Sequence, residues 1–373
     1  MSARLTYDLA VMDVPGRLGR LRVAMADQGS EVLLVSNLVN VRYLSGFSGS
    51  AGLLVVRPDD AVLMTDGRYG TQAPAELEAA GAPVGVRARP ASQQGEVLAE
   101  LAGGLHRLGL EAEHISWGRQ RHFAQTWARD MELVATEGLV EGLRQRKDAG
   151  ELARIGAAAR IADQALENVR GLLGTGPSEA DIALALDSEM RRLGASAPAF
   201  ETIVAAGANG AEPHHHPSAR PVRRGELVVV DFGARVDGYC SDMTRCLWAG
   251  AGPEPTPGGL ADLLGVVLAA QDAGVGAVAD GVPAVEVDRA CREVVEAAGM
   301  GEYFVHGTGH GVGLDIHEAP WARPASDDIL CSGQVVTVEP GVYIPGLGGA
   351  RIEDTVVVTG SGCQVLTLTP KQA

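Results

Sequence analysis

Apolar residues in the first 140 positions alternate between helical spacing and short unbroken runs. Leu18, Leu21 and Met25 recur every three or four residues, as in an amphipathic helix. Short runs with apolar centres, EVLLV at 31–35, GLLVV at 52–56 and AVLMT at 61–65, are typical of buried strands. This alternation predicts an α/β domain at the start of the chain.

A charged stretch at 141–150, EGLRQRKDAG, interrupts the alternation. Within it, Asp148 is followed three residues later by Glu151, a spacing that predicts the first turn of a long amphipathic helix. We therefore place a domain boundary near residue 145. The two predicted domains are 1–145 and 146–373.

The second domain contains two similar segments. GELVVVDFG at 225–233 and GQVVTVEPG at 333–341 share an apolar run between two glycines, and the seventh position of each is acidic: Asp231 in the first and Glu339 in the second. On its own this echo is a modest indication of internal symmetry.

Each of these acids is followed by a second acid at a sequence separation that a β-hairpin would bring opposite it. A turn at Val236-Asp237 would place Asp231 directly opposite Asp242 on neighbouring strands. Directly opposed residues have Cβ atoms about 5 Å apart, where like charges repel each other. Such a pair shares a proton, is solvated at a sheet edge, or binds a cation.

Glu339 and Glu353 are related in the same way by a turn centred on Gly346. A β-bulge would break either register. Four carboxylates that converge near neutral pH require compensating positive charge, and two divalent metal ions would supply it.

Histidines add to this indication. HGTGHGVGLDIHEAP at 306–320 holds His306, His310 and His317 among glycines, a density that favours a functional site over isolated structural histidines. Oxygen ligands with one imidazole suit manganese, cobalt, iron or zinc, and two such ions support hydrolytic chemistry. The segment 201–221 contains a PHHHP tract, which composition alone would assign to a loop.

Composition excludes several classes of function. The formal net charge of −16 argues against binding to nucleic acid or to anionic lipid. The N-terminus carries scattered charges and does not resemble a signal peptide, and no stretch approaches the roughly 18 uncharged apolar residues of a membrane-spanning helix. Five cysteines without a Cys-x-x-Cys pair indicate free thiols, and we expect a cytoplasmic protein.

Taken together, these segments resemble the proline-specific branch of the pita-bread metallopeptidases, which holds aminopeptidase P and prolidase. The motifs that carry the resemblance are NGAEPHHHP, VVVDFG with SDMTR, HGTGHGVGLDIHEAP, VTVEPGVY and GARIED; they occur in the family's order and cover most of 150–360. The resemblance implies a creatinase-like α/β N-terminal domain and an α+β pita-bread catalytic domain with pseudo-twofold symmetry.

The resemblance also assigns roles to residues. The implied ligands of two divalent ions, with manganese expected and cobalt or zinc as alternatives, are Asp231, Asp242, His310, Glu339 and Glu353. The implied catalytic residues are His214, His317 and, as proton shuttle, Glu339. The implied substrate-binding residues are His306, Tyr343, Arg351 and Tyr239. His215 and His216 match no ligand position.

The activity implied is a metal-dependent Xaa-Pro aminopeptidase, which hydrolyses the bond between an N-terminal residue and a following proline in proline-containing peptides. The segments NVRYLSGFSGSAGLLVV (40–56) and TDGRYGTQA (65–73) favour it over an Xaa-Pro dipeptidase, the alternative. Family resemblance also implies a homodimer. Candidate N-terminal contacts around the substrate, for which fold and dimer packing are an equal explanation, are Asn40, Arg42, Tyr43 and Arg68.

More distant alternatives are disfavoured by the intact ligand set or by domain size. A creatinase-like hydrolase works without metals, and a methionine aminopeptidase would normally lack so large an N-terminal domain. A binding module on the same fold would not need all five ligands. The number of bound metal ions discriminates among these alternatives.

Overall fold

The computed structural model describes residues 4–250 and 259–371. Within these residues the chain divides into two units. One comprises Met12–Arg144; the other comprises the residues from Gln145 onward together with those up to Val11.

The unit Met12–Arg144 is built around a mixed sheet. Its helices are α1 (Val14–Asp27), α2 (Leu38–Ser45), α3 (Gln72–Ala79), α4 (Gln94–Leu101), α5 (Trp117–His122) and α6 (Leu139–Arg144). Its strands are β1 (Val32–Val35), β2 (Leu53–Val56), β3 (Ala61–Thr65), β4 (Gly85–Ala88), β5 (Arg107–Glu111) and β6 (Glu132–Thr136). The three strands expected at 31–35, 52–56 and 61–65 are confirmed as β1, β2 and β3.

The order of these described strands is β4-β3-β2-β1-β5-β6. A short turn joins β2 and β3, which pair antiparallel, and β1 also pairs antiparallel with β2 although α2 lies between them in the chain. Strands β4, β5 and β6 follow helical crossovers and pair in parallel. Strands β1, β2 and β3 are buried along their whole length, which explains why their sequences are apolar without alternation.

The second unit carries four long helices and several small sheets in its described part. The helices are α7 (Ala149–Val169), α8 (Glu179–Leu193), α9 (Leu260–Ala277) and α10 (Ala284–Ala297). The strands of its first half are β7 (Ala197–Pro198), β8 (Ile203–Ala206), β9 (Leu227–Phe232), β10 (Ala234–Val236), β11 (Tyr239–Cys240) and β12 (Met243–Trp248). Those of its second half are β13 (Gly309–Gly311), β14 (Glu318–Ala322), β15 (Val335–Val338), β16 (Gly341–Ile344), β17 (Gly348–Arg351), β18 (Asp354–Thr359) and β19 (Gly362–Val365).

The expected start of the long helix is confirmed. Asp148 is the N-cap of α7, and a capping box joins its side chain to the backbone of Glu151 while the Glu151 side chain bonds back. The same device, formed by Ser178 and Asp181, begins α8. Both boxes satisfy backbone N–H groups that an uncapped helix would leave without partners.

Strand β9 lies between two hydrophobic cores. Its residues Val228, Val230 and Phe232 pack in a core with α7 and α8, whereas Leu227 and Val229 pack in a second core with α9 and α10. A strand buried on both faces needs apolar residues at successive positions, and this explains the run before Asp231.

The register predicted for Glu339 and Glu353 is confirmed. In the β15–β18 ladder Val338 faces Asp354, and in the β16–β17 hairpin Gly341 faces Arg351. The same register runs through both ladders, so Glu339 and Glu353 occupy opposed positions between them.

The register predicted for Asp231 is wrong by two residues. Thr244, and not Asp242, lies opposite Asp231 on β12. The turn is formed by Asp237 and Gly238, both with positive φ. A two-residue turn of this kind matches the twist of the strands and is closed to the β-branched Val236. Because side chains alternate, a shift of two keeps Asp231 and Asp242 on one face.

Helix α9 meets a general criterion for a membrane-crossing helix by length and composition alone. It contains Asp262 and Asp272, so it does not contradict the expectation that no stretch approaches about 18 uncharged apolar residues. Leu263, Val267 and Ala270 on this helix are fully buried in the core that β15 and β18 share. A core helix of a folded domain meets the same criterion, and this packing gives α9 that role.

The five cysteines are free thiols, as expected. Burial raises the pKa of Cys246 and Cys291 to about 12 and that of Cys240 to about 11. These three thiols therefore remain protonated and behave as small apolar core residues.

Candidate metal centre

A cavity of about 440 Å³ opens in the second unit and collects most of the predicted site residues. The predicted residues among its lining are His214, Asp231, Asp242, His306, His310, His317, Glu339, Arg351 and Glu353. Tyr343 and Tyr239 are not among the lining residues. The hairpins β9–β12 and β16–β17 and the strand β13 therefore bring together side chains that are far apart in the sequence.

Three of the predicted metal ligands form a cluster at the base of this cavity. Asp242, His310 and Glu353 each offer a ligand atom, and these atoms lie within 4.8 Å of one another. All three residues are buried. Nε2 of His310 also lies 3.3 Å from Oε1 of Glu339, so a further carboxylate adjoins the cluster.

The orientation of His310 suits metal binding. Its Nδ1 donates to the carbonyl oxygen of Gly311 at 3.0 Å, and its backbone N–H donates to Thr337 at 3.0 Å. Its Nε2 faces Asp242 and Glu339. The hydrogen bond and charge of Glu339 outweigh burial and raise the pKa of His310, and a metal ion would take the place of the proton on Nε2. An imidazole oriented in this way by a backbone carbonyl is a typical metal ligand.

Two buried carboxylate oxygens test whether the residues fit a metal ion. Oδ1 of Asp231 and Oε1 of Glu353 have no hydrogen-bond partner among the described residues, although the other oxygen of each has one. Buried polar atoms are normally satisfied, and an orphaned one needs an explanation. A divalent cation would satisfy both oxygens, so the donor set fits the hard or borderline ions expected from the sequence.

The acidities of these groups reflect their burial and the crowding of carboxylates, which Arg351 offsets only in part. Burial, followed by neighbouring carboxylates, raises the pKa of Asp242 and of Glu353 well above the usual range. Burial likewise raises the pKa of Asp231. Glu339 differs, because the hydrogen bond and charge of His310 outweigh burial and lower its pKa to about 2. Bound cations would reverse the first three shifts.

A chain of hydrogen bonds leads from the acids to the wall of the cavity. Arg351 donates to Asp231 at 2.5 Å and to the hydroxyl of Tyr343 at 2.7 Å. The Tyr343 hydroxyl lies 2.9 Å from Nε2 of His306, whose Nδ1 donates to the carbonyl of Gly307. The Tyr343 hydroxyl therefore donates to His306, and burial lowers the pKa of that imidazole. Tyr343 therefore hydrogen-bonds to two residues that line the cavity, His306 and Arg351.

His214 and His317 have a different environment from His306 and His310. Both are solvent-exposed at the cavity, and the ring of His317 packs edge-on against that of His310 with centroids 4.4 Å apart. Burial and then the neighbouring His310 lower the pKa of His317, which favours a neutral ring with one N–H available as a donor.

Tyr239 lies in the interior, apart from the lining. It is buried in β11, and its hydroxyl donates to Oε1 of Glu151 at 3.0 Å. This contact ties the strand to the first turn of α7 and serves the packing of the domain.

The N-terminal candidates divide into buried and exposed residues. Asn40 is fully buried and bonds to Glu111 and Arg144 within its own unit. Tyr43 is also buried, and its hydroxyl donates to the carbonyl of Leu143. Both contacts serve the packing of that unit. The other two candidates, Arg42 and Arg68, are partly buried and exposed, respectively.

Thr244 is a site residue that the sequence reasoning missed. Its hydroxyl donates to Oε2 of Glu353 at 2.8 Å and accepts from Nε of Arg351 at 3.1 Å. It lies opposite Asp231 in the observed register. The signal was present in the SDMTR motif, but the two-residue error in register concealed it.

Comparisons with known proteins agree with this geometry. The model of metallopeptidase family M24 matches residues 153–360, and that of the creatinase/prolidase N-terminal domain matches residues 17–146. An Xaa-Pro dipeptidase of Pyrococcus furiosus is 34% identical over 95% of this chain and 99% of its own length.

Two solved structures show the same fold over nearly the whole chain. An Xaa-Pro dipeptidase from Bacillus anthracis has a TM-score of 0.89 and 37% identity, and the match covers 96% of this chain and 99% of the other. An X-Pro aminopeptidase from Thermotoga maritima has a TM-score of 0.85 and 32% identity, with 94% and 98% covered. The fold is thus the pita-bread fold with a creatinase-type N-terminal domain.

Proposed function

Because the chain belongs to metallopeptidase family M24, we propose that it is an Xaa-Pro aminopeptidase that releases the N-terminal residue ahead of proline. As a family member it is a metal-dependent hydrolase of the Xaa-Pro peptidase group. The observation that supports the site is the pair of buried, unpartnered oxygens, Asp231 Oδ1 and Glu353 Oε1, in side chains that line the cavity.

Five residues would hold the metal. We assign two divalent ions, manganese first and cobalt or zinc as alternatives, to Asp231, Asp242, His310, Glu339 and Glu353. When bound, such ions polarise a carbonyl and lower the pKa of a water molecule.

Proton transfer is assigned to Glu339. Its side chain is 18% exposed, against 13% for Asp231 and 6% for Asp242, so it is the most accessible to a substrate of these three acids. A carboxylate in this position accepts a proton from the attacking water and delivers it to the proline nitrogen as the peptide bond breaks.

His214 and His317 would stabilise the oxygen of the scissile carbonyl. Both rings are exposed at the cavity, and a neutral ring carries one N–H that can donate to the charge that develops on that oxygen. His306, held by Tyr343, and Arg351 would line the pocket for the proline ring.

The preference for peptides longer than two residues rests on the N-terminal segments 40–56 and 65–73, which resemble the aminopeptidase P side of the family. One observation favours the alternative, an Xaa-Pro dipeptidase. The guanidinium of Arg323 lies at the cavity over the ring of Trp321, 5.1 Å from its centroid, and has no carboxylate partner among the described residues. It would attract the free carboxylate of a dipeptide.

Hydrolysis of Ala-Pro and of Ala-Pro-Ala by manganese-loaded protein, beside a chelated control, tests the proposal. Equal or faster cleavage of the tripeptide is the expected result. Cleavage of the dipeptide alone would identify an Xaa-Pro dipeptidase. Cleavage of neither, with about two ions bound per chain, would overturn the substrate assignment but leave the metal site intact.

A homodimer and a cytoplasmic location complete the proposal. Both follow from the family resemblance and the composition. Light scattering coupled to size-exclusion chromatography measures the first, and fractionation of cells that express the protein measures the second.

A further inference from the structure

A buried carboxylate lies outside the metal centre and has no role in the chemistry described above. Glu179 is the first residue of α8 and its side chain is fully buried. It accepts hydrogen bonds from two backbone N–H groups, those of Ala206 at 2.8 Å and Ser218 at 3.1 Å. It also accepts from the side chains of Ser218 at 2.6 Å and Asn209 at 3.0 Å.

The remaining partner of Glu179 is His215. Its Nε2 lies 3.0 Å from Oε2 of Glu179, and its Nδ1 lies 2.8 Å from Oε2 of Glu212. The imidazole is only 11% exposed although it belongs to a surface loop. With a carboxylate at each ring nitrogen, His215 bridges the interior of the domain and its own loop.

The position of His215 in the sequence gives this bridge a consequence. His214 precedes it, and both residues border the cavity, but the ring nitrogens of His215 are engaged by Glu179 and Glu212. Pro213 and Pro217 restrict the backbone on both sides, and the carbonyl of Pro213 accepts from Arg351 at 3.3 Å. The PHHHP tract is therefore fixed at two points, by Arg351 at Pro213 and by Glu179 at His215.

We propose that Glu179 and His215 are positioning residues that hold His214 in the catalytic cavity. The inference rests on the role proposed above for His214. A hydrogen bond between a buried carboxylate and an imidazole is stronger than a neutral one, so the bridge is suited to fixing a loop that is otherwise exposed. A displacement of a catalytic group by about 1 Å is enough to cost about 100-fold in rate.

The test compares the single variants His215→Ala and His214→Ala with the double variant, using manganese-loaded protein and whichever of the two proline peptides is cleaved. We expect His215→Ala to lower kcat about 10- to 100-fold with unchanged metal content. The double variant should be no slower than His214→Ala, because a positioning residue has no effect once the group it positions is gone.

Three controls separate positioning from folding. His215→Gln keeps an N–H that reaches Glu179, and should recover part of the lost rate. Glu179→Gln should reproduce the loss without altering the loop sequence. Glu226→Gln removes the carboxylate of a different charge pair on the same segment, with Arg220, and should leave kcat unchanged.

Two results would overturn the inference. One is full activity in His215→Ala while His214→Ala is impaired. The other is losses that multiply in the double variant, which would mean that His215 acts independently of His214. If His214→Ala itself retains full activity, the role proposed for His214 fails, and the positioning role fails with it.

Discussion

Arg351 and Asp231 form a buried ion pair whose geometry leaves one carboxylate oxygen without a protein partner. Nη2 of Arg351 donates to Oδ2 of Asp231 at 2.5 Å, and Oδ1 of the same carboxylate has no partner among the described residues. Even so, burial keeps the pKa of Asp231 above its usual value. The pair therefore orients the carboxylate but does not complete its neutralisation, which leaves Oδ1 to a cation.

Replacing Arg351 with lysine should weaken the site although the charge is kept. A lysine ammonium cannot reach Asp231, Tyr343 and Thr244 at once, as the planar guanidinium does. We expect kcat/KM to fall about 10- to 100-fold together with metal affinity. Arg220→Lys, at an ion pair outside the cavity, should change neither. Wild-type kinetics in Arg351→Lys would contradict the role of the three guanidinium contacts.

Asp242→Asn should separate metal binding from the stability of the metal-free fold. Loss of one buried carboxylate from the cluster removes a ligand, so bound metal should fall below about two ions per chain and activity should vanish. Without metal, the same change relieves repulsion, so the chelated variant should unfold at the same temperature as chelated wild type or higher. Asp237→Asn, in the exposed turn, is the control. Full activity of Asp242→Asn with added manganese would refute the ligand assignment.

Stability of the chelated protein should fall as the pH rises above about 5. Asp231, Asp242 and Glu353 have raised pKa values, so between about pH 4, their unfolded range, and their native values the folded state binds more protons. The raised pKa of His310 acts in the same direction above about pH 6.5.

Glu339 opposes the trend, and with a pKa of about 2 its contribution is complete by about pH 5. The lowered pKa values of His306 and His317 also oppose it, up to about pH 6.5. Metal-loaded protein should show the reverse trend, because its ligands bind as deprotonated groups. Thermal unfolding of both forms from pH 5 to 9 measures this. A chelated protein that gains stability above about pH 7, where the histidines with lowered pKa values no longer titrate, would show that the buried carboxylates do not hold protons in the folded state.

The hairpins show how much of this fold could be predicted. The glycine-centred turn at Gly346 fixed the register of Glu339 and Glu353 correctly, because the two strands lie symmetrically around it. The other turn was misplaced by one residue, which moved every pair by two. The correct signal was the dipeptide Asp237-Gly238, whose residues tolerate the positive φ that a tight hairpin turn requires.

Most of the side chains that meet at the cavity were predictable from the sequence, but the contacts that support them were not. Motif resemblance places the metal-binding candidates at the cavity, yet the contacts of Thr244 with Glu353 and of Arg351 with Tyr343 depend on strand pairing across the fold. The bridge from His215 to Glu179 joins a loop to a helix start and leaves no periodic trace in the sequence. Such contacts follow from tertiary packing, which spacing alone does not encode.

Arg323→Met should change the ratio of the rates on tripeptide and dipeptide. In Ala-Pro the free carboxylate is on the proline itself, within the cavity, whereas in Ala-Pro-Ala it is one residue further away. Loss of the guanidinium should therefore raise the tripeptide-to-dipeptide ratio of kcat/KM by about 5- to 10-fold. This change corresponds to the loss of about 1 kcal/mol of charge attraction. Arg323→Lys keeps the charge and should preserve the ratio. Equal effects on both substrates would show that Arg323 does not determine the preference between dipeptide and tripeptide.

Lys147 and Glu318 form a buried ion pair whose disruption should destabilise the catalytic unit. Nζ of Lys147 donates to Oε1 of Glu318 at 2.7 Å, and the two side chains are 0% and 9% exposed. Glu318 directly follows His317, and the backbone N–H of Lys147 donates to Gly333. The pair thus fixes the start of β14 beside the cavity.

Lys147→Met removes the ammonium that faces the buried Glu318 carboxylate, which costs about 3–5 kcal/mol in the free energy of unfolding. The double variant with Glu318→Leu should recover most of that loss, because two apolar side chains leave no charge to desolvate. Arg289→Met removes an exposed pair with Glu286 and should cost at most about 1 kcal/mol. Denaturant unfolding, followed by tryptophan fluorescence, measures all three. If Lys147→Met is no more harmful than Arg289→Met, the ion pair does not hold the strand that follows His317.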